Sequence, residues 1–69
     1  MIDAVWKRAL LLYEQRRWHM AEQELRRLLA EDPEFAPAYA MLGIILSETG
    51  SLDEALAEAR NAVTVDPES

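Results

Sequence analysis

The chain has 69 residues, a formal net charge of −6 and no cysteine. This length fits a single small domain with a limited hydrophobic core. The negative charge argues against a nucleic-acid partner, because affinity for a phosphate backbone depends on many lysine and arginine contacts. The absence of cysteine excludes disulfide bonds, a thiolate nucleophile and a zinc–thiolate site, and it suits a reducing compartment.

Two helices are predicted in the first half of the chain. Apolar residues recur with helical spacing over residues 2–15, which contain no glycine or proline. The pattern breaks at residues 16–18 and resumes over residues 21–31. Pro33 cannot continue a helix and biases the residue before it away from the helical region, so the second helix is predicted to stop there.

Two further helices are predicted in the second half. Pro37 suits the first turn of the third helix, where its missing N–H costs nothing, and Gly50 suits its end, where a left-handed conformation is needed. Asp53 is predicted to be the N-cap of a fourth helix, which starts at residue 52 or 53, runs to Val65 and stops before Pro67. Four helices joined by short turns predict an all-α fold of antiparallel hairpins.

The chain also repeats itself at an offset of 34 residues. Nine of the 35 overlapping pairs are identical, where chance would supply roughly two or three. The identical pairs are Ala4/Ala38, Leu12/Leu46, Glu14/Glu48, Ala21/Ala55, Glu24/Glu58, Arg26/Arg60, Asp32/Asp66, Pro33/Pro67 and Glu34/Glu68. This period is the length of one helix–turn–helix unit, so it predicts a repeat protein.

The second copy carries a motif of apolar and small residues at fixed spacing. It reads Tyr39-x2-Leu42-Gly43-x2-Leu46, followed by Gly50, Ala55, Ala59, Ala62 and Pro67. This motif resembles the tetratricopeptide repeat (TPR). The first copy is weaker, and reads Val5-x2-Arg8-Ala9-x2-Leu12, followed by Ala21, Leu25, Leu28 and Pro33. It departs from the family pattern at Arg8, where leucine is usual, and at Arg16, which replaces the turn glycine.

The resemblance implies an architecture and a division of the chain. The expected fold is two antiparallel helix–turn–helix hairpins stacked as a short right-handed superhelical α-solenoid. Repeat one would cover residues 2–35 and repeat two residues 36–69, together forming one domain. We expect the chain to be the N-terminal part of a longer tetratricopeptide protein, or else a small protein that associates with itself. Such arrays usually close with a polar-faced helix, because each unit leaves an apolar edge for the next.

Small and apolar residues of the motif are expected to pack the repeats. Gly43 lies inside the third helix, where glycine costs about 0.5–1 kcal/mol relative to alanine. We expect a close helix crossing there to offset this cost. The predicted repeat-packing residues are Ala9, Leu12, Ala21, Tyr39, Leu42, Gly43, Leu46, Ala55 and Ala59.

The chain offers little that could carry chemistry. His19 is its one histidine, and with Glu22 it supplies at most half of a metal site, since zinc sites need three or four ligands. We interpret His19 as a residue that opens the second helix, in the place of Asp53 in the second copy. Glu54 and Glu58 are interpreted as solubilising carboxylates. The predictions are therefore no enzyme activity, no metal and no cofactor.

The arginines of the first repeat are interpreted as a solvated helix face. Glu22 and Arg26 stand four residues apart, a spacing that favours an ion pair on a helix. The alternative is a local basic spot formed by Arg16, Arg17, Arg26 and Arg27.

The family resemblance also implies a candidate binding groove. In the family the first helix of each repeat lines the concave face. The apolar or amphipathic residues at the matching inward positions are Trp6, Leu10, Tyr13, Met41 and Ile44. They would form one apolar stripe that binds a peptide or a helix of another protein. Alternatively, Trp6 and Tyr13 only cover an edge of the core.

A structural role is the alternative function. The segment would then stack on further repeats or on its own copy, through an exposed C-terminal edge that includes Leu56 and Val63. A bound peptide that contacts the inner helices would favour the groove. Contacts confined to the edge at Leu56 and Val63 would favour the structural role.

One family subclass can be argued against. Co-chaperone domains of this family grip the C-terminal carboxylates of chaperones with Lys and Asn on the inner helices. The matching positions here are Trp6, Leu10 and Met41, which cannot pair with a carboxylate. We therefore expect no chaperone carboxylate clamp.

The expected cellular location follows from two absences in the sequence. No apolar run approaches the length of a membrane span. The N-terminal residues also lack the layout of a signal peptide. The expected location is therefore the cytoplasm, without a membrane partner.

Overall fold

The computed structural model describes residues 2–68, which form four α-helices and no strand. The helices are α1 (Ile2–Glu14), α2 (Trp18–Glu31), α3 (Ala36–Glu48) and α4 (Leu52–Val65). The predicted all-α class, helix number and helix order are confirmed. Helix bounds differ from the predicted ones by at most a few residues, as expected where helix ends fray.

The turn between α1 and α2 has the geometry of a Schellman motif, in which two backbone N–H groups close the end of a helix. The N–H of Arg17 donates to the carbonyl of Leu12 (2.9 Å), and the N–H of Arg16 donates to that of Tyr13 (2.9 Å). This arrangement requires a left-handed residue after the helix. Arg16 takes that role with φ of 59°, although it is not a glycine.

The turn between α3 and α4 repeats this geometry 34 residues later. The N–H of Ser51 donates to the carbonyl of Leu46 (2.8 Å), and the N–H of Gly50 donates to that of Ser47 (3.2 Å). Gly50 has φ of 88°, as its predicted role at the helix end requires. The two turns share one backbone design, and only the second has the residue that adopts it without strain.

Exchanging the residue types at these turns should change stability in opposite directions. Arg16→Gly is expected to raise the free energy of unfolding by about 0.5–1 kcal/mol, because it relieves the left-handed strain. Gly50→Arg should lower it by about 1 kcal/mol or more through backbone strain alone, since no atom lies within 4 Å of a Cβ placed there. Thermal melts of both variants against the parent test this, and a melting temperature lowered by Arg16→Gly would contradict it.

The predicted N-cap at Asp53 is wrong. Helix α4 begins at Leu52, its N-cap residue is Ser51, and Asp53 lies in the first turn. The bond from the Ser51 N–H to the Leu46 carbonyl fixes the start of α4, so the turn and not a capping side chain sets it. The Asp53 carboxylate still lies near the positive end of the helix dipole. The equivalent His19 likewise lies in the first turn of α2, after Trp18.

The helices pack as two hairpins, α1 with α2 and α3 with α4, which form two compact units divided between Pro33 and Glu34. The buried apolar residues of the first unit are Ala9, Leu12, Ala21, Leu25 and Leu28, and those of the second are Ala36, Ala38, Leu42, Ile45 and Leu46. That both units form one domain, with repeat bounds of 2–35 and 36–69, remains a prediction.

Helices α3 and α4 approach closely at Gly43. A Cβ atom added there would lie 3.4 Å from the backbone oxygen of Ala55, 3.8 Å from the nitrogen of Ala59 and 4.0 Å from the Cβ of Ala59. These are ordinary van der Waals distances, so the crossing has room for a methyl group at this position.

Candidate interaction surfaces

The first helix of the first unit presents three large side chains along one line. Trp6, Leu10 and Tyr13 stand at spacings of four and three residues on α1, which places them on the same face of the helix. Each is half-buried. The ring of Tyr13 meets the ring of Trp18 on α2 edge to face, with centroids 5.5 Å apart and an interplanar angle of 64°. Tyr13 therefore joins the two helices of its hairpin while part of it stays accessible.

The first helix of the second unit has one face open to solvent. Met41 is half-buried, and Ile44 keeps 47% of its surface exposed. The adjoining side of α3 carries Leu42 and Ile45, which are both fully buried. The apolar run through α3 suggests a helix covered on every side, but the structure covers only part of it.

An open cleft of about 450 Å³ runs between α3 and α4. Most of its lining residues are small, and the full set is Ala40, Gly43, Ile44, Ser47, Glu48, Ala55, Ala59 and Ala62. Ile44 is the predicted groove residue that reaches it, whereas Met41 is not in its lining. The cleft exists because small residues stand at the Gly43 crossing, where larger ones would fill the space.

Helix α4 exposes a row of apolar side chains that sequence reasoning found only in part. Leu56 is 54% exposed and Val63 is 62% exposed, where an open edge was expected. Leu52 is 66% exposed and extends the row by one turn, and it was missed. The signal was present in the spacing, because residues 52, 56, 59 and 63 share one helix face.

Ion pairs join three arginines of the first unit, Arg8, Arg26 and Arg27, to glutamates of α2. The Arg8 Nη1 lies 3.4 Å from the Glu24 Oε1, and the Arg27 Nη1 lies 3.9 Å from the Glu24 Oε2. The predicted pair between Glu22 and Arg26 is confirmed, with 3.4 Å between Oε2 and Nη2. The arginine side chain of each pair is exposed to solvent, so each pair contributes about 0–1 kcal/mol.

Glu58 does not fit its interpretation as a solubilising carboxylate. It is 8% exposed, and its Oε1 accepts a hydrogen bond of 3.2 Å from the Asn61 Nδ2. Its equivalent in the first unit, Glu24, pairs with Arg27, and Asn61 stands in the place of Arg27. The packing of α4 buries this carboxylate, and helical periodicity alone does not separate it from the exposed Glu54.

The repeated turns, the paired hairpins and the small residues at the helix crossing describe a helix–turn–helix repeat. A comparison with family models matches residues 12–69 to the tetratricopeptide repeat. The chain belongs to the tetratricopeptide repeat family. A search of curated proteins finds no match to it.

Membership of the tetratricopeptide repeat family sets the coarse function. Proteins of this family are generally non-catalytic scaffolds that bind other proteins or peptides. The matched residues include the second unit, with its cleft and its exposed α4 face, and begin at Leu12 within α1. Trp6 and Leu10 therefore lie before the matched region.

The chemistry of this tetratricopeptide chain is sparse over the part that the structure describes. No group of three or more metal-ligating side chains occurs among residues 2–68. His19 is exposed. Within the same residues, no helix has the length and apolar character needed to cross a membrane.

Proposed function

We propose that the chain is a protein–protein interaction module that binds an apolar peptide or an amphipathic helix through the first helix of each unit. The contact residues are Trp6, Leu10 and Tyr13 on α1, and Met41 and Ile44 on α3. The observation that carries the proposal is the accessibility of these side chains, since Ile44 is 47% exposed and the other four are half-buried.

The types of these residues support a binding role. Interface cores are enriched in aromatic residues and methionine. Burying their apolar surface would release roughly 25 cal/mol per Å² before the costs of association. The charge of −6 further favours a partner helix with basic residues beside its apolar face. An acidic chaperone C-terminus remains an unsuitable partner in this proposal.

The alternative role for Trp6 and Tyr13 is purely structural. The edge-to-face contact between Tyr13 and Trp18 supports it in part, because that contact ties α1 to α2. Substitutions of Trp6 and Met41, one in each unit, therefore test binding more specifically than a substitution of Tyr13.

We expect Trp6→Ala and Met41→Glu to weaken the binding of a fluorescein-labelled leucine–lysine amphipathic peptide by roughly tenfold or more each. Far-ultraviolet circular dichroism of both variants should stay close to that of the parent. Fluorescence anisotropy measures the affinity, with Gln23→Ala on the exposed surface of α2 as the uncharged control and an acidic C-terminal peptide as the non-binding probe.

Two results would overturn the proposal of a peptide-binding groove. Loss of helical structure in both variants would assign Trp6 and Met41 to the core. Equal binding of the basic and acidic peptides would remove the chemical selectivity on which the proposal rests.

A second candidate function is self-association, or stacking on a further repeat, through the exposed edge of α4. The observation that favours it is the exposure of Leu56 (54%) and Val63 (62%) on one helix. Sedimentation equilibrium over a range of concentrations tests self-association, and a monomer at every concentration would exclude it.

We also propose that the chain is not an enzyme and that it acts in the cytoplasm. The family is generally non-catalytic. The absence of cysteine suits a reducing compartment.

A further inference from the structure

Four apolar residues form a narrow row on the exposed side of α4, here called the α4 stripe: Leu52, Leu56, Ala59 and Val63. All four are exposed. Their spacings of four, three and four residues place them within about 60° of the helix circumference and along roughly 16 Å of its axis. This spacing is that of a two-helix coiled-coil seam.

Leu52, Leu56 and Val63 lie away from the face of α4 that packs in the hairpin, whereas Ala59 borders that face, with its Cβ 4.0 Å from a Cβ placed at Gly43. The packed face carries Ala55, Glu58 and Ala62, which are buried or half-buried. The 34-residue repeat accounts for three of the four positions, whose equivalents Trp18, Leu25 and Leu29 are also apolar, but not for Leu56, whose equivalent in the first unit is Glu22. A leucine with 54% exposure at a position that elsewhere holds a carboxylate needs a reason of its own.

The residues that flank the α4 stripe differ on its two sides. One side carries Asp53 and Arg60, which are exposed, seven residues apart and of opposite charge. The other side carries Ala55 and Ala62, which are small. The stripe therefore has one charged flank with an acidic end and a basic end.

We propose that the α4 stripe pairs with the α4 stripe of a second copy of this chain, antiparallel and about a two-fold axis. In this register Leu52 packs on the partner's Val63, and Leu56 packs on the partner's Ala59. Asp53 then lies beside the partner's Arg60, and the symmetry makes this ion pair twice. This pairing rests on the self-association candidate above and adds its surface, orientation and register.

The charges favour this arrangement over a parallel one. A parallel pair would place the charged flank of each helix beside the alanine flank of the other, and would gain no ion pair. An antiparallel pair joins the charged flanks with opposite signs in contact.

The buried stripe is short, so the dimer is weak, with a dissociation constant on the order of 100 µM. Sedimentation equilibrium from roughly 5 µM to 2 mM covers this range. Leu56→Glu is expected to leave a monomer throughout, with unchanged helical circular dichroism, because the side chain is exposed. The matched control is Leu11→Glu on α1, since Leu11 is 53% exposed and lies outside the stripe. It should dimerise like the parent.

The charged flank gives a test of orientation. Asp53→Arg and Arg60→Asp are each expected to raise the dissociation constant roughly tenfold, because each replaces two attractions by two repulsions. Mixing the two variants restores opposite charges at both contacts, so the mixture should associate about as tightly as the parent.

Cysteine pairs test the register directly, because the chain has no native cysteine. A mixture of Leu52→Cys and Val63→Cys should form mixed disulfide dimers, whereas Leu52→Cys alone should not cross-link. Cross-linking of Leu52→Cys to itself, or a dimer that Leu56→Glu leaves intact, overturns the antiparallel pairing and leaves self-association standing. A monomer at about 2 mM overturns both. None of these three results bears on the proposed peptide groove.

Discussion

Leu42→Ala is expected to lower the free energy of unfolding by about 2–5 kcal/mol, the range for truncating a fully buried leucine. Leu42 has no exposed surface. Small domains are marginally stable, so a loss of this size approaches the whole stability of a chain of 69 residues. The variant should be largely unfolded at physiological temperature.

The matched control is Leu56→Ala, which removes the same atoms from a leucine that is 54% exposed on α4. It should cost about 0.5 kcal/mol or less, the usual range for a surface substitution. Urea unfolding followed by circular dichroism measures both, at low micromolar protein so that association does not contribute. Equal midpoints for the two variants would contradict the core described for the second unit.

Gly43→Leu is expected to lower the free energy of unfolding by about 1–3 kcal/mol through overpacking at the α3–α4 crossing. Its Cβ fits 3.4 Å from the Ala55 oxygen, and we expect the branched end of the side chain to press on Ala55 or Ala59 on α4. The expected fall in melting temperature is roughly 5–20 °C for a domain of this size.

Gly43→Ala separates this steric effect from the cost of glycine in a helix. Alanine meets α4 at ordinary contact distances, and it improves helix propensity by up to about 1 kcal/mol. It should melt at or above the parent temperature. If Gly43→Leu melts like Gly43→Ala, the leucine extends into the neighbouring cleft without separating the helices, and the steric prediction is wrong.

Signals that act within a few residues could be read from the amino-acid sequence alone. Pro33 and Pro67 follow the ends of α2 and α4, Pro37 lies in the first turn of α3, and Gly50 takes its left-handed conformation. The 34-residue period also identified two hairpins, each built from one copy of the repeat. These predictions succeeded because proline and glycine act through their own backbone geometry, whatever packs around them.

Predictions that depended on a neighbouring turn were less reliable. Asp53 has the chemistry of an N-cap, yet α4 begins one residue before it. The start is set by the hydrogen bond from Ser51 back to Leu46. Arg16 was identified as a departure from the turn glycine, but its left-handed φ of 59° follows from hairpin closure and not from any preference of arginine.

The sequence by itself determined that this is an all-α repeat chain, how many helices it has and roughly where they end. Only the tertiary structure decided which of its similar residues are buried. Leu42 and Leu56 are the same residue on helices of the same hairpin, and Glu54 and Glu58 stand one turn apart on α4. One member of each pair is buried and the other is exposed. Helical periodicity places side chains around an axis, but burial depends on where the neighbouring helix lies, and that position is fixed by packing between residues distant in the chain.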